Sequence, residues 1–260
     1  MTLPALIGAL LTGITMGLLG GGGAILTVPI LVYLLGHSEK AAIAESLAII
    51  GAIALVGALR GIRSGNTELR TVVFFGLPGM AGAVIGSAIS PYIPGAVQLA
   101  LLAIVMLAAA TMMLRSAAKR KGAEPVPRRH SVPLLATQGI GIGILTGLVG
   151  VGGGFLIVPA LVILGRVPMK RAVPTSLAII FLNTISGFLT HLRYTSQPDA
   201  PSVNWAIIAL FSAVGIAGSF AGAHIGARID QRLLRKFFAI FLILLAIYIL
   251  WKQLPTVLNL

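Results

Sequence analysis

Residues 147–159 read Gly147-Leu-Val-Gly-Val-Gly-Gly-Gly-Phe-Leu-Ile-Val-Pro159, and a second copy stands at Gly17-Leu-Leu-Gly-Gly-Gly-Gly-Ala-Ile-Leu-Thr-Val-Pro29. The two copies lie 130 residues apart in a chain of 260. In each copy a run of glycines interrupts an apolar segment, although glycine weakens a helix interior more than any residue except proline. We therefore predict that each half of the chain contains a broken membrane segment.

The composition is that of an integral membrane protein. Hydrophobic residues make up 57% of the chain and charged residues only 10%, whereas soluble proteins carry about 25% charged residues. The net charge of +13 does not require a nucleic-acid partner, because membrane proteins retain basic residues in their cytoplasmic loops. The absence of cysteine excludes disulfides and thiolate chemistry.

The chain is an internal repeat of two halves. Residues 17–63 align with 147–193 without a gap and share 21 identities at 47 positions. Five apolar segments are recognised in each half, at 3–18, 24–36, 41–62, 69–90 and 95–115, and then at 132–149, 154–165, 169–192, 203–226 and 233–251. The second segment of each half covers about 20 Å of a core about 30 Å thick. We therefore predict an all-α membrane fold with about eight full spans plus the short glycine-broken segments, ten helices in all.

The Lys and Arg residues favour one orientation of these segments. If the segments flanking each glycine run enter and return on one side, 16 of the 19 basic residues face the cytoplasm, whereas single crossings would split them 11 to 8. The favoured arrangement has two inverted repeats, 1–115 and 132–260, a basic cytoplasmic linker at 116–131, and both termini outside. The linker either marks topology or binds anionic lipid heads. For the first two segments of each half, the sequence is compatible with either a re-entrant hairpin or full crossings.

The glycine runs are the predicted substrate site. Inverted repeats with glycine-interrupted segments in matching positions are typical of transporters that bind their solute at the bilayer midplane. A helix N-terminus with free N–H groups favours negative charge, so we expect a small anion. The backbone ligands would be Gly21, Gly22, Gly23, Gly152, Gly153 and Gly154. Alternatively, the glycines only permit two helices to cross closely.

Polar side chains in the third segment of each half extend this predicted site. Ser46, Thr175 and Ser176 lie early in these segments, and Asn183 shares a helical face with Ser176. They would donate to the anion, unless the hydroxyls bond to carbonyls of their own helix. Ile53 stands in the first half where the second has Asn183, so the predicted site is asymmetric.

Glu45 is the acidic residue deepest in a predicted span. A buried carboxylate is costly unless it is neutral or paired, which makes Glu45 a candidate for proton coupling. Alternatively, it faces a wet vestibule or pairs with Lys40 or His37. His191 and Arg193, near the outer end of their segment, are candidates for attracting an anion at the entrance.

Two motifs carry a family resemblance. Gly150-Val-Gly-Gly-Gly-Phe-Leu-Ile-Val-Pro-Ala-Leu161 and Ala172-Val-Pro-Thr-Ser-Leu-Ala178, with weaker copies in the first half, resemble the TauE/SafE sulfite exporter family over nearly the whole chain. The resemblance implies a secondary transporter or permease for sulfur-containing anions, such as sulfite or organosulfonates, in a bacterial or archaeal inner membrane. Members carry a Thr-Ser pair in both halves, whereas this chain has Glu45-Ser46 in the first, a departure that bears on site symmetry and ion coupling.

The function expected is secondary transport of a small sulfur-containing anion; an anion channel or an anion-binding signalling protein is the alternative. An enzyme is not expected, because the Gly-x-Ser-Gly motif of intramembrane proteases is missing and Asp199 and Asp230 are the only aspartates. We expect no cofactor and no metal. The expected partners are the anionic solute and the lipid bilayer, without nucleic acid, and a homodimer is left open.

Overall fold

The computed structural model describes residues 3–118, 132–159, 161, 167, 169–194, 203–226 and 231–258, and these residues form helices and short connections without a strand. The α-helices are α1 (Leu3–Leu19), α2 (Thr27–Pro29), α3 (Glu39–Arg63), α4 (Leu69–Thr71), α5 (Leu77–Ile89), α6 (Gly95–Ala118), α7 (Val132–Val149), α8 (Gly154–Pro159), α9 (Met169–Tyr194), α10 (Trp205–Gly226) and α11 (Gln231–Leu258). Turns of 3₁₀-helix (Gly20–Leu26, Ser90–Tyr92) and π-helix (Ile30–Leu34, Val72–Gly76) connect several of them.

Seven helical runs in the described part of the chain are long and apolar enough to cross a membrane. They are Leu3–Leu34, Glu39–Arg63, Leu69–Tyr92, Gly95–Met112, Val132–Val149, Arg171–Arg193 and Trp205–Gly226, and α11 adds a shorter apolar stretch, Ala239–Pro255. The protein is therefore a multi-pass, all-helical membrane protein. Helix α6 extends to Ala118; the rest of the predicted linker, and most of the predicted segment 154–165 beyond Pro159, lie outside the described residues.

The first helix of each half packs against a helix of the other half. Helix α1 packs along α10, and α5 packs along α7. A Cβ atom placed on Gly13 would lie 2.2 Å from the carbonyl oxygen of Gly215, and one on Gly143 would lie 2.1 Å from that of Gly79. Glycine is thus required at these crossings, because backbones this close leave no room for a side chain.

Helices α3 and α9 cross the centre of the molecule in opposite directions. Gly51 faces Thr184 near the middle of both helices, whereas Gly61, near the C-terminal end of α3, faces Pro174 near the N-terminal end of α9. Helices α6 and α11 pack against each other. The third helix of one half is therefore antiparallel to the third helix of the other.

Candidate substrate site

The first glycine run forms a short helix of its own, at the point where the chain turns back along α1. Gly20–Leu26 forms a 3₁₀-helix that continues into α2, and within it only Gly20 has a positive φ, of 66°. The chain nevertheless reverses here, because α1 ends at Leu19 and a Cβ atom placed on Gly8 would lie 2.6 Å from Cγ2 of Ile30. The segment is therefore broken at this run, as predicted for the first half. A 3₁₀-helix satisfies backbone groups through i→i+3 bonds, so this run keeps its N–H groups largely engaged.

The second glycine run does leave the helix, as predicted. Between α7 and α8, Gly150, Gly152 and Gly153 have φ values of 75°, 68° and 66°, in the left-handed region that side chains disfavour. Helix α8 then starts at Gly154, where the Gly153 carbonyl accepts from the N–H groups of Leu156 and Ile157. Both halves are thus broken at the glycine run, with one left-handed glycine in the first half and three in the second.

The two glycine runs meet in the centre of the molecule. A Cβ atom placed on Gly21 would lie 2.5 Å from the Cα of Gly154, and one on Gly154 would lie 2.4 Å from the Cα of Gly21. Residues 20–26 and 150–154 are buried throughout. The two runs are therefore in direct contact through Gly21 and Gly154. Of the other predicted backbone ligands, Gly23 faces α1, Gly153 faces α7, and Gly152 faces α3 and α9, while Gly22 is buried within the first run.

Ser46 links one half to the break of the other. Its hydroxyl lies 2.5 Å from the carbonyl oxygen of Gly150 and 2.8 Å from that of Ile43, so its single proton is shared between two acceptors. The equivalent Ser176 donates to Val173 in its own helix at 2.7 Å. Both side chains are fully buried.

Glu45 and Thr175, which occupy equivalent positions, each bind the start of a helix in the opposite half. The Oε1 atom of Glu45 accepts from the N–H of Asn204, just before α10, at 2.9 Å. The Oγ1 atom of Thr175 accepts from the N–H of Glu68, just before α4, also at 2.9 Å. Both contacts satisfy N–H groups that a helix start leaves without partners. Sequence reasoning missed this role, because the partners lie 159 and 107 residues away.

The second carboxylate oxygen of Glu45 is paired with a histidine. Oε2 lies 2.6 Å from Nδ1 of His37, whose side chain is 18% exposed, whereas that of Glu45 is 1% exposed. Lys40, the other partner considered for Glu45, instead donates to the carbonyl oxygen of Pro91 at 2.5 Å. The buried carboxylate of Glu45 is therefore hydrogen-bonded to an imidazole that is partly exposed.

An open cavity of about 190 Å³ lies between α1, α3, α9 and α10. We call it the inner pocket; its lining includes Gly17, Ile53, Val56, Gly57, Arg60, Gly61, Ser64, Val173, Leu177, Ser219 and Ala223. The Arg60 guanidinium stands 5.5 Å from the ring centre of Phe220, which also lines the pocket. Val173, which lines the inner pocket, also lies beside Gly20 of the first glycine run.

A group of buried polar atoms lies between α5, α7 and α9. We call it the polar seam, and it consists of Ser87, Gly147, Asn183, Ser186 and His191. The carbonyl oxygen of Gly147 accepts from Ser87 Oγ at 3.2 Å and from His191 Nε2 at 3.3 Å. Ser186 donates to the Asn183 carbonyl oxygen at 2.9 Å. The amide of Asn183, fully buried beside Gly79, has no hydrogen-bond partner among the described residues.

The two predicted entrance residues differ in position. His191 is 7% exposed and belongs to the polar seam, whereas Arg193 is exposed at the end of α9. Ser87 and Arg60 were not predicted as site residues. Each is a polar residue inside a predicted membrane segment, and that is the signal by which the sequence could have identified them.

A multi-pass helical protein with paired glycine runs buried at its centre has the architecture of a membrane transporter. The chain matches the family described as sulfite exporter TauE/SafE over residues 5–249, and it belongs to that family. A probable membrane transporter protein of Xylella fastidiosa is 34% identical over 251 residues, 94% of this chain and 92% of the relative. Another from Methanocaldococcus jannaschii is 36% identical over 228 residues, 83% of each chain. No solved structure matches.

Proposed function

We propose that this protein is a secondary transporter that moves a small sulfur-containing anion, such as sulfite or an organosulfonate, by alternating access. The observation that carries the proposal is the contact of the two glycine runs at the centre, with Val173 of the inner pocket beside Gly20 of one run. Membership of the sulfite exporter TauE/SafE family supports the solute class. Carriers built from repeats open to each side in turn by moving one half against the other.

Inverted topology of the two halves is part of this proposal. The antiparallel crossing of α3 and α9 supports it, as does the reciprocal packing of α1 on α10 and α5 on α7. The distribution of Lys and Arg supports an orientation in which Arg60 and the inner pocket would lie on the cytoplasmic side of a cell membrane, with both termini outside. The inner pocket would be the cytoplasmic opening.

The anion would first meet a positively charged side chain in the inner pocket and then the backbone amides of the glycine runs. Arg60 is the basic side chain that lines the inner pocket, and guanidinium groups bind oxyanions through paired N–H donors. Beyond it, the amides of Gly152–Gly154 would hold the anion once the two runs separate, and those of Gly21–Gly23 would join them on leaving their 3₁₀ bonds. The Ser46 hydroxyl, at the Gly150 carbonyl, would donate to the anion after leaving that contact. Ser176 and Thr175 would donate after leaving the carbonyl of Val173 and the N–H of Glu68.

Proton coupling is proposed for the pair of Glu45 and His37. A carboxylate that is buried but hydrogen-bonded to a partly exposed imidazole has a route by which protons reach it. Its contact with the N–H of Asn204 connects its protonation to the position of α10, a helix of the opposite half. Protonation of Glu45 would therefore change how α10 packs against the first half.

Flux into proteoliposomes tests the proposed function. Labelled sulfite, or a labelled sulfonate, is supplied with and without an imposed pH gradient, and empty liposomes serve as the control. We expect uptake that saturates, and that is accelerated by unlabelled anion on the opposite side. Lack of flux for every sulfur anion would reject the proposed solute class, and flux that neither saturates nor shows counterflow would indicate a channel instead.

A further inference from the structure

We infer that the polar seam is the closed outer half of the solute path, and that the Asn183 amide binds the anion when the seam opens. The inference rests on the proposed transport function. It follows from comparing the polar seam with the inner pocket, position by position, through the internal repeat. The two regions are built from equivalent residues of opposite halves.

The equivalence comes from the repeat alignment alone. Residues of the first three segments correspond at a spacing of 130, and residues of the fourth segment at a spacing of 136. Residues that line the inner pocket therefore have equivalents in the other half, either in the polar seam or beside it. The pairs are Gly17 with Gly147, Ile53 with Asn183, Val56 with Ser186, Gly57 with Gly187, Gly61 with His191, Val173 with Ile43, Leu177 with Leu47, and Ala223 with Ser87.

The two sets have the same contacts but differ in exposure. Val173 contacts Gly20 in the inner pocket, and its equivalent Ile43 contacts Gly150 at the polar seam. Gly17, Val56, Gly57, Val173, Leu177 and Ala223 are partly exposed, whereas their equivalents Gly147, Ser186, Gly187, Ile43, Leu47 and Ser87 are buried. The same architecture is thus open at one end of the molecule and closed at the other, as a carrier requires when it faces one side.

The chemistry of the polar seam indicates a ligand. Ile53 packs against Gly215 as Asn183 packs against Gly79, so an apolar side chain suits this position of the repeat. An amide buried without a partner is destabilising, and packing offers no reason for it here. Asn183, Ser186 and Ser87 can donate hydrogen bonds, and His191 and the exposed Arg193 add basic groups towards the outer end. Donors of this kind fit a small oxyanion.

Single cysteines in this cysteine-free chain test whether the polar seam opens. Ser186→Cys is nearly isosteric and carries the thiol in the seam; Val56→Cys, its equivalent, carries it in the inner pocket. Both are exposed to a membrane-impermeant maleimide in vesicles of either orientation. We expect Val56→Cys to be modified only from the cytoplasmic side and Ser186→Cys only from the outside. Failure to modify folded Ser186→Cys from the outside would overturn the inference, whether or not flux has been found.

A cross-link tests whether opening is needed for transport. A Cβ atom on Gly187 would lie 3.0 Å from Ser87 Oγ, within the reach of a disulfide. In the double variant Ser87→Cys/Gly187→Cys, oxidation should abolish flux and reduction should restore it. When Ser186→Cys is added, oxidation should also prevent its modification from the outside, and reduction should restore that modification. Flux that is unchanged after complete cross-linking would overturn the proposed path.

Replacement by the residue of the other half tests Asn183 itself. Asn183→Ile should leave the protein folded, with a thermal midpoint at least as high as that of the native protein, but should raise the anion concentration for half-maximal flux at least tenfold. Thr184→Val is the control, because the hydroxyl of this neighbouring residue bonds carbonyls of its own helix and no other group in the described part of the chain. An unchanged concentration dependence in Asn183→Ile would remove this amide from the site. Absence of flux in the native protein would instead reject the proposed function.

Discussion

At the scale of single residues, the glycines of this protein differ in backbone conformation and in the space around them. Gly153 has a left-handed backbone, and a Cβ atom placed on it would lie 2.3 Å from Thr146 Oγ1. Gly36 also has a positive φ, of 72°, but has nothing within 4 Å of that position. Gly141 has an ordinary backbone and open space. Three alanine substitutions therefore separate strain from steric conflict.

We expect Gly153→Ala to destabilise the protein most. Left-handed backbone costs a residue with a side chain about 1–2 kcal/mol, and the contact with Thr146 adds to it. Gly36→Ala should show the backbone cost alone, and Gly141→Ala should be neutral. Thermal midpoints in detergent measure the series. Equal midpoints for Gly153→Ala and Gly141→Ala would show that the second break is not held in the described conformation.

Glu45→Gln separates the two roles of this residue. Glutamine keeps an oxygen that accepts from the N–H of Asn204, but it carries no charge towards His37 and cannot release a proton. We therefore expect a folded protein whose flux no longer varies with pH. Glu39→Gln, at the start of the same helix, is the control and should keep the native pH profile. An unaltered pH profile in Glu45→Gln would leave Glu45 with a structural role only.

At the scale of helices, the reciprocal caps of α4 and α10 join the two halves. Thr175→Val preserves shape but removes the oxygen that accepts from the N–H of Glu68. Loss of such a cap costs about 0.5–2 kcal/mol. Thr184→Val, whose hydroxyl bonds only carbonyls of its own helix, should cost less. Thermal midpoints in detergent compare the two variants, and a smaller effect of Thr175→Val would mean that this contact adds little to stability.

The helices themselves were largely predictable from the sequence. The predicted segments 41–62, 95–115 and 132–149 correspond to α3, α6 and α7, because apolar runs of spanning length have few alternatives in a membrane. The 3₁₀ conformation of the first glycine run was not predictable, since its sequence is as rich in glycine as that of the second. The caps by Glu45 and Thr175 and the burial of His191 depend on contacts distant in sequence, which periodicity does not report.

At the scale of the whole molecule, the proposed topology predicts which loops face which side. Tyr92, 80% exposed between α5 and α6, should be outside, and Ser64, at the end of α3, should be cytoplasmic. Tyr92→Cys and Ser64→Cys should therefore react with an impermeant maleimide from opposite sides of sealed vesicles. Modification of both from the same side would contradict the proposed orientation of the halves.

The exchange of helices between halves has a consequence for how the protein is made. Helix α1 is synthesised before the helix it packs along, α10, with α2 to α9 between them in the chain. Until then the glycine face of α1 is without its partner in the lipid. Nascent chains arrested before Trp205 should consequently be recognised by membrane quality-control proteases, and the two halves expressed as separate polypeptides should each be degraded unless both are present.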